Sequence, residues 1–306
     1  MTMKMGLLSA IVDDLSFEEM VNLAASMGFS GVEVACWPSG KAERRYAGVS
    51  HIDADAIDGD TAHHYLEYCS ERNIAMTALG YYPNPLDPDR SKSDAAIEHL
   101  HKLIDASSAL NVNLVNTFIG RDQTKTVEEN LKLVKDVWPD ILDHAQEQGV
   151  RIAIENCPML FGRDQWPGGQ NLMTTPDIWD RVFDILPYDN LGINFDPSHF
   201  VWQMMDYIAP IYQYRERIFH VHFKDIKLLR SRLSRVGVMA YPLDYMVPKI
   251  PGLGDIDWGA FVSALTDIGY DGYACVEIED KAFESNRDGI VTAIRQAKRY
   301  MDQFVA

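Results

Sequence analysis

The chain has 306 residues, 47% apolar and 24% charged, a balance ordinary for a soluble globular protein and a length that α/β barrels use as one domain. With 28 basic against 45 acidic residues the formal charge is −17, which argues against nucleic-acid backbones as partners, since clustered Lys and Arg supply most of that affinity. The cysteines (Cys36, Cys69, Cys157 and Cys275) form no C-x-x-C pair, so neither a structural zinc site nor a disulfide framework is expected.

The opening "MTMKMGLLSAIVDD" has one Lys and a short apolar run stopped by Asp13 and Asp14, unlike a signal peptide. No apolar run approaches the roughly 18 residues of a membrane span. A reduced cytoplasmic protein without a membrane partner is the expectation. Strand patterns then follow one another: "KMGLLSA", "GVEVACW", "IAMTALGYY", "VNLVNTF", "RIAIENC", "LGINFD", "IFHVHF" and "YACVEIE". They are short, apolar and rich in β-branched residues, as strands buried on both faces should be. Between them lie helix patterns with recognisable starts. Ser16 with Glu19, and Thr126 with Glu129, have capping-box spacing. Thr175 precedes Pro176 at a first helical position, and Asp257 precedes a run with Phe261, Leu265 and Ile268 on one face. Ile290, Ile294, Ala297, Met301 and Phe304 mark the last helix. No linker or composition break divides the chain. The reading is α/β, one (β/α)₈ TIM barrel over residues 1–306, with no antiparallel hairpin evident. A doubly wound open sheet is less favoured, because its glycine fingerprint is missing after the first strand.

A barrel should gather its chemistry at the carboxyl ends of its strands. Glu155 ends the fifth, Asp196 the sixth, His222 lies on the seventh and Glu277 on the eighth. Singly, such residues more often cap helices, sit on the surface or fill a core. Together, at equal depth in four successive units, they form a carboxylate–imidazole set suited to Mn²⁺, Mg²⁺, Co²⁺ or Zn²⁺.

The segments "IENCP", "DPSH", "HVHFKD", "PGLGDIDW" and "VEIED" give the chain its resemblance to the xylose-isomerase-like TIM-barrel superfamily, in the sugar phosphate isomerase/epimerase branch with ketose 3-epimerases and inosose dehydratases. The resemblance spans nearly the whole chain. It implies one divalent ion, Mn²⁺ foremost, held at Glu155, Asp196, His222 and Glu277, and it places His199 on the substrate. It also implies Glu155 and Glu277 as the acid–base pair that moves a proton next to a sugar carbonyl through a metal-stabilised enediolate. Two positions depart from the ketose 3-epimerases: Phe161 stands where they carry a glutamate, and Leu228 where they carry an arginine, with Arg230 nearby. The sugar contacts must therefore differ. A metal-dependent lyase acting on a keto-sugar or keto-glycoside is the alternative to an isomerase or epimerase. An endonuclease IV-type repair enzyme is disfavoured by the acidic charge and by third and fourth strands that end without histidine. A catalytically dead binding barrel is the non-enzyme alternative.

Two long loops, residues 158–174 after strand five and 226–256 after strand seven, are expected to shape the pocket. They offer Arg163, Trp166, Arg230, Tyr241 and Tyr245, and the second is read as a lid or a subunit contact in a dimer or tetramer. Trp37 is placed either on a sugar face or in the core, and Cys157 is read as packing. The glycines of "PGLGD" serve either a tight turn or the site. In "RIFHVHFKD" either histidine of the H-x-H pair has ligand spacing. Depth selects His222, leaving His220 to fill the barrel one layer deeper. Lys224 then rises toward substrate oxygens, and Asp225 caps the following loop.

Overall fold

The computed structural model describes residues 3–38, 47–160 and 168–305. Its strands are β1 (Lys4–Leu8), β2 (Gly31–Ala35), β3 (Ala75–Gly80), β4 (Leu114–Thr117), β5 (Arg151–Glu155), β6 (Leu191–Phe195), β7 (Ile218–Phe223), β8 (Asp225–Leu228), β9 (Met246–Lys249) and β10 (Tyr273–Val276). All but β8 and β9 are parallel and close into a barrel in the order β1-β10-β7-β6-β5-β4-β3-β2. These eight are the strands expected from the sequence, and the fold is a (β/α)₈ barrel.

Outside the strands pack α1 (Phe17–Ser26), α2 (Gly59–Ser70), α3 (Arg90–Ala109), α4 (Val127–Glu147), α5 (Pro176–Ile185), the short α6 (Ser198–Trp202), α7 (Ala209–Gln213) and α8 (Arg230–Val236), then α9 (Trp258–Asp267) and α10 (Arg287–Met301). Both capping boxes form, and Thr175 and Asp257 cap α5 and α9 through their side chains. Three tryptophans lock helices onto the barrel. Trp138, Trp179 and Trp258 are fully buried, and each indole N–H finds an acceptor at 2.9 Å, on Ile119 O, Met173 O and Asp225 Oδ2. Burying a side chain of this size removes ~150–250 Å² from water, a gross gain of about 4–6 kcal/mol each before entropy. Among the described residues no helix is long and apolar enough to cross a membrane.

The expected absence of an antiparallel hairpin is corrected by β8 and β9, which pair antiparallel in the loop after β7, from Asp225↔Lys249 to Leu228↔Met246. The ribbon is joined by residues 229–245 and not by a two-residue turn, so the usual hairpin signal is missing from the sequence. Its inner side chains Ile226, Leu228, Tyr245 and Met246 form a small apolar core with Trp202 of α6, so Tyr245 is a packing residue. Asp225 anchors the loop. Its carboxylate accepts from the backbone of Ile226 (2.8 Å), Gly252 (3.0 Å), Gly254 (3.2 Å) and Ile256 (3.3 Å), and from the Trp258 indole. A Cβ on Gly254 would stand 2.0 Å from Asp225 Oδ1, and Gly252 has a φ of +93°. The "PGLGD" glycines therefore serve this turn.

Two register shifts matter inside the barrel. One falls between Val32 and Glu33 on β2 opposite β3, the other between Ile193 and Asn194 on β6 opposite β7. They leave Thr77 and Phe219 outside the ladder. Thr77 reaches the His220 ring, and Phe219 packs on Ala78, Leu114 and Ala153.

Candidate active site

Three of the four residues expected to hold a metal, Glu155, His222 and Glu277, come together at the carboxyl end of the barrel, and Asp196 joins them through His199 and Lys224. His222 Nδ1 lies 3.2 Å from Glu277 Oε2 and 3.8 Å from Glu155 Oε1. His199, on α6 immediately after β6, stands with Nε2 3.1 Å from Asp196 Oδ2 and 3.6 Å from Glu155 Oε1. Lys224 Nζ sits 3.0 Å from Glu277 Oε1, 2.8 Å from Glu279 Oε2 and 4.0 Å from Asp196 Oδ2. All of these groups except Glu277 and Glu279 are buried.

Local backbone contacts fix the strand ends. Asn156 donates to Asp196 O and accepts from Asp196 N, both at 2.8 Å, tying β5 to β6. Asn171 spans Glu155 O (2.8 Å) and Cys157 O (2.7 Å), and accepts from Ile119 N at 3.0 Å. The asparagine of "IENCP" is thus a clamp that sets where Asp196 points. One Asp196 oxygen is used by Ser198 N at 2.8 Å, which leaves Oδ2 turned to the site.

The polar atoms left over identify what the site is built for. Asp196 Oδ2, His199 Nε2, His222 Nδ1 and Glu277 Oε2 are buried and none makes a hydrogen bond of good geometry. Buried polar atoms are nearly always paired, and leaving one unpaired costs about 1–3 kcal/mol. Three of these four belong to expected metal ligands on three different strands, and Glu155, His222 and Glu277 each offer a ligand atom within 4.8 Å of the others. Two carboxylates, a third from Asp196 and one imidazole nitrogen are a donor set for a divalent cation. The residues fit the ion.

Electrostatics separates the carboxylates. Burial raises the Glu155 carboxyl, but the neighbouring His199 and His222 rings, with Lys224, outweigh it and hold it well below the usual range. Glu277 goes the other way, pushed up by burial although Lys224 and His222 pull against it. Burial disfavours charge on His222 and Lys224, yet surrounding carboxylates, Glu33 for the first and Glu277 for the second, hold both well above their ordinary values. His220 is different. Burial drives it down to about 4 against the pull of Glu33, and it sits neutral between Thr77 Oγ1 and Asn194 Oδ1, both at 3.1 Å. That is the barrel-filling role expected for it.

A cavity of about 620 Å³ opens above these groups. Glu155, His199, Lys224, Glu277 and Glu279 line its polar floor, while Met159, Leu160, Trp202, Leu243, Met246 and Pro248 line an apolar wall. Of the expected substrate contacts, His199 and Lys224 are on the floor. Trp37 both lines the cavity and packs edge-on against Tyr81, with ring centroids 4.9 Å apart. Arg230 is exposed at the start of α8 and is not among the residues that line the cavity. Trp166, Arg163 and Phe161 lie outside the described residues. Cys157, read as packing, is half-buried on the cavity wall, its thiol grouped with Glu155 and His199.

Sequence reasoning missed Glu33, Tyr82 and Glu279. Glu33 lies in mid-β2, fully buried, with Oε2 2.7 Å from His222 Nε2 and with the Tyr82 hydroxyl donating to Oε1. An acid between Val32 and Val34 in an apolar strand was a usable signal, of the same kind that singled out His220 and His222.

A protein of Bacillus subtilis (strain 168) called uncharacterized protein YfiH is 25% identical over 325 residues, covering 98% of this chain and 100% of that one. An inosose dehydratase of Lacticaseibacillus casei is 29% identical over 163 residues, 52% of this chain and 50% of its own length, so this match spans half of that relative. The crystal structure of the apo 3-keto-D-glucoside 4-epimerase YcjR from E. coli superposes with a TM-score of 0.71 at 16% identity, covering 98% and 99% of the two chains. That likeness is one of fold. Residues 21–302 match the sequence profile of the xylose isomerase-like TIM barrel, and the chain belongs to that family.

Proposed function

We propose that this protein is a divalent-metal-dependent isomerase or epimerase of a small sugar or sugar derivative, removing and returning a proton on the carbon next to a carbonyl. The observation that carries the reading is the convergence of Glu155, His222 and Glu277, each with a ligand atom within 4.8 Å of the others, beside a cavity that Glu155 and Glu277 line, with Asp196 Oδ2, His222 Nδ1 and Glu277 Oε2 buried and without a hydrogen bond of good geometry. Glu155, Asp196, His222 and Glu277 would hold the ion, Mn²⁺ foremost, and when bound it would supply Lewis-acid polarisation of the carbonyl oxygen. The protein's own groups do the rest. Glu155 and Glu277 approach His222 Nδ1 from different strands, β5 and the end of β10, so a substrate carbon above them has a carboxyl group on either side. One takes the proton to give an enediolate and the other supplies one to the opposite face. Lys224, bridging Glu277 and Glu279, holds Glu277 in place and brings positive charge to the developing oxyanion. His199 offers Nε2 to a substrate hydroxyl.

A second reading starts from the same proton removal and expels a group from the next carbon. It is favoured by the apolar cavity wall, which gives room beyond a single sugar ring, and by the sequence relative that dehydrates inosose. Incubating Mn²⁺-loaded protein in deuterated water with ketoses, an inosose and 3-keto-glucosides separates the two. Deuterium at the carbon next to the carbonyl with the skeleton retained supports the isomerase. Release of water or aglycone supports the lyase, and no exchange with any of these compounds refutes both.

A further inference from the structure

Glu33 is a negative charge buried in the middle of the barrel, and it has no part in the set just described. Burying a carboxylate is unfavourable unless it is paired and hydrogen-bonded. Its partners cross the barrel: β2 carries Glu33, β7 carries His220 and His222, and β1 and β10 lie between them in the sheet. His222 Nε2 is 2.7 Å from Glu33 Oε2, His220 Nδ1 is 3.6 Å from the same oxygen, and the Tyr82 hydroxyl caps Oε1. Gly80 makes the space, since a Cβ there would stand 2.7 Å from Oε1.

The cluster Glu33, His220 and His222 has the spacing of a second metal site, with ligand atoms within 4.8 Å. Its hydrogen bonding says otherwise. Both His220 nitrogens are taken, by Thr77 and Asn194, and neither Glu33 nor His220 has an unpaired buried atom. The unpaired atom in the cluster is His222 Nδ1, on the far side of that ring and facing Glu155 and Glu277. The ring therefore has two distinct ends, one held and one free.

From this we infer that Glu33 is a positioning residue: by accepting the Nε2 proton of His222 it fixes the ring orientation and the tautomer that leaves the Nδ1 lone pair facing the carboxylates. The inference deepens the metal-dependent reading above and rests on it. The competing state is visible in the structure. Asn194 Nδ2 lies 3.0 Å from the same Nε2, and can donate to it only when Nε2 carries no proton. Without an acceptor at Glu33, Asn194 favours the tautomer with the proton on Nδ1, where it blocks a metal ion. Carboxylates behind ligand histidines work in this way, and their loss weakens metal affinity by about 10- to 100-fold.

The test is Mn²⁺ affinity, read from the electron paramagnetic resonance of the free ion, for wild type, Glu33→Ala and Glu33→Gln. The glutamine keeps a carbonyl acceptor for Nε2–H but lacks the charge. Alanine should bind Mn²⁺ about 10- to 100-fold more weakly than wild type, with glutamine between the two. The double variant Glu33→Ala with Asn194→Ala removes the competing donor and should recover part of the loss, which a general loosening of the barrel would not produce. Thermal melting of each metal-free protein checks folding; if the alanine variant does not fold, glutamine against wild type decides. Equal affinity of the folded variants and wild type overturns the role of Glu33. Failure of wild type itself to bind Mn²⁺ overturns the metal-dependent reading and this inference with it.

Discussion

Replacing Asp225 by Asn changes one atom and leaves the side chain's size alone, so its effect isolates the hydrogen bonds that hold the loop over the site. Oδ1 accepts from Ile226 N and Ile256 N, and Oδ2 from Gly252 N, Gly254 N and Trp258 Nε1. The amide will turn its remaining oxygen to the three donors and its NH₂ to the two. Ile226 N–H and Ile256 N–H then face another donor in a buried setting, where each unsatisfied group costs about 1–3 kcal/mol. The sum is about 2–6 kcal/mol. With about 2.1 cal/mol/K of unfolding entropy per residue over 306 residues, each kcal/mol shifts the melting temperature by about 1.6 °C, so that of the metal-free protein should fall by about 3–9 °C. Gly254→Ala should do the same from the other side, through its Cβ at 2.0 Å from Oδ1. Calorimetric melting reads both. An Asp225→Asn protein that melts within 1 °C of wild type would show that the carboxylate does not anchor the ribbon.

Two further outcomes are expected. Glu155→Gln and Glu277→Gln should each lower deuterium exchange into substrate by about 10²–10⁴-fold, the usual contribution of a positioned acid or base; exchange near the wild-type rate in both would remove them as the catalytic pair. His51 and His99 should each take stability away as the pH drops through about 6.5, because burial lowers their pKa in the folded chain, so the unfolded chain binds more protons there. Each contributes a slope of up to about 1.4 kcal/mol per pH unit, and His51→Gln should flatten the melting-temperature profile between pH 7 and 5. An unchanged profile would count against it.

The barrel and its candidate metal set were legible for a physical reason. Strands buried on both faces leave long apolar runs, and the ends of those runs mark the barrel mouth, so Glu155, Asp196, His222 and Glu277 stand out at equal depth. Glu33 escaped the same logic because it sits inside its strand, below the rim where chemistry is sought. It supports a ligand instead of touching the cavity. The β8–β9 ribbon escaped because no short turn announces it; its pairing depends on Asp225 collecting donors from residues some thirty positions away. Arg230, two residues after Leu228, stands exposed at the start of α8, just after β8. Local patterns report burial well, but the aim of a side chain on a long excursion depends on contacts distant in sequence.

The proposed activity requires a single ion held by four side chains. Its most direct test is a crystal of the protein soaked in Mn²⁺, with anomalous diffraction recorded at the manganese edge. The prediction is one peak bonded to Glu155, Asp196, His222 Nδ1 and Glu277, with Glu33 still on His222 Nε2. A peak among Glu33, His220 and His222, or none at the barrel mouth, would contradict it.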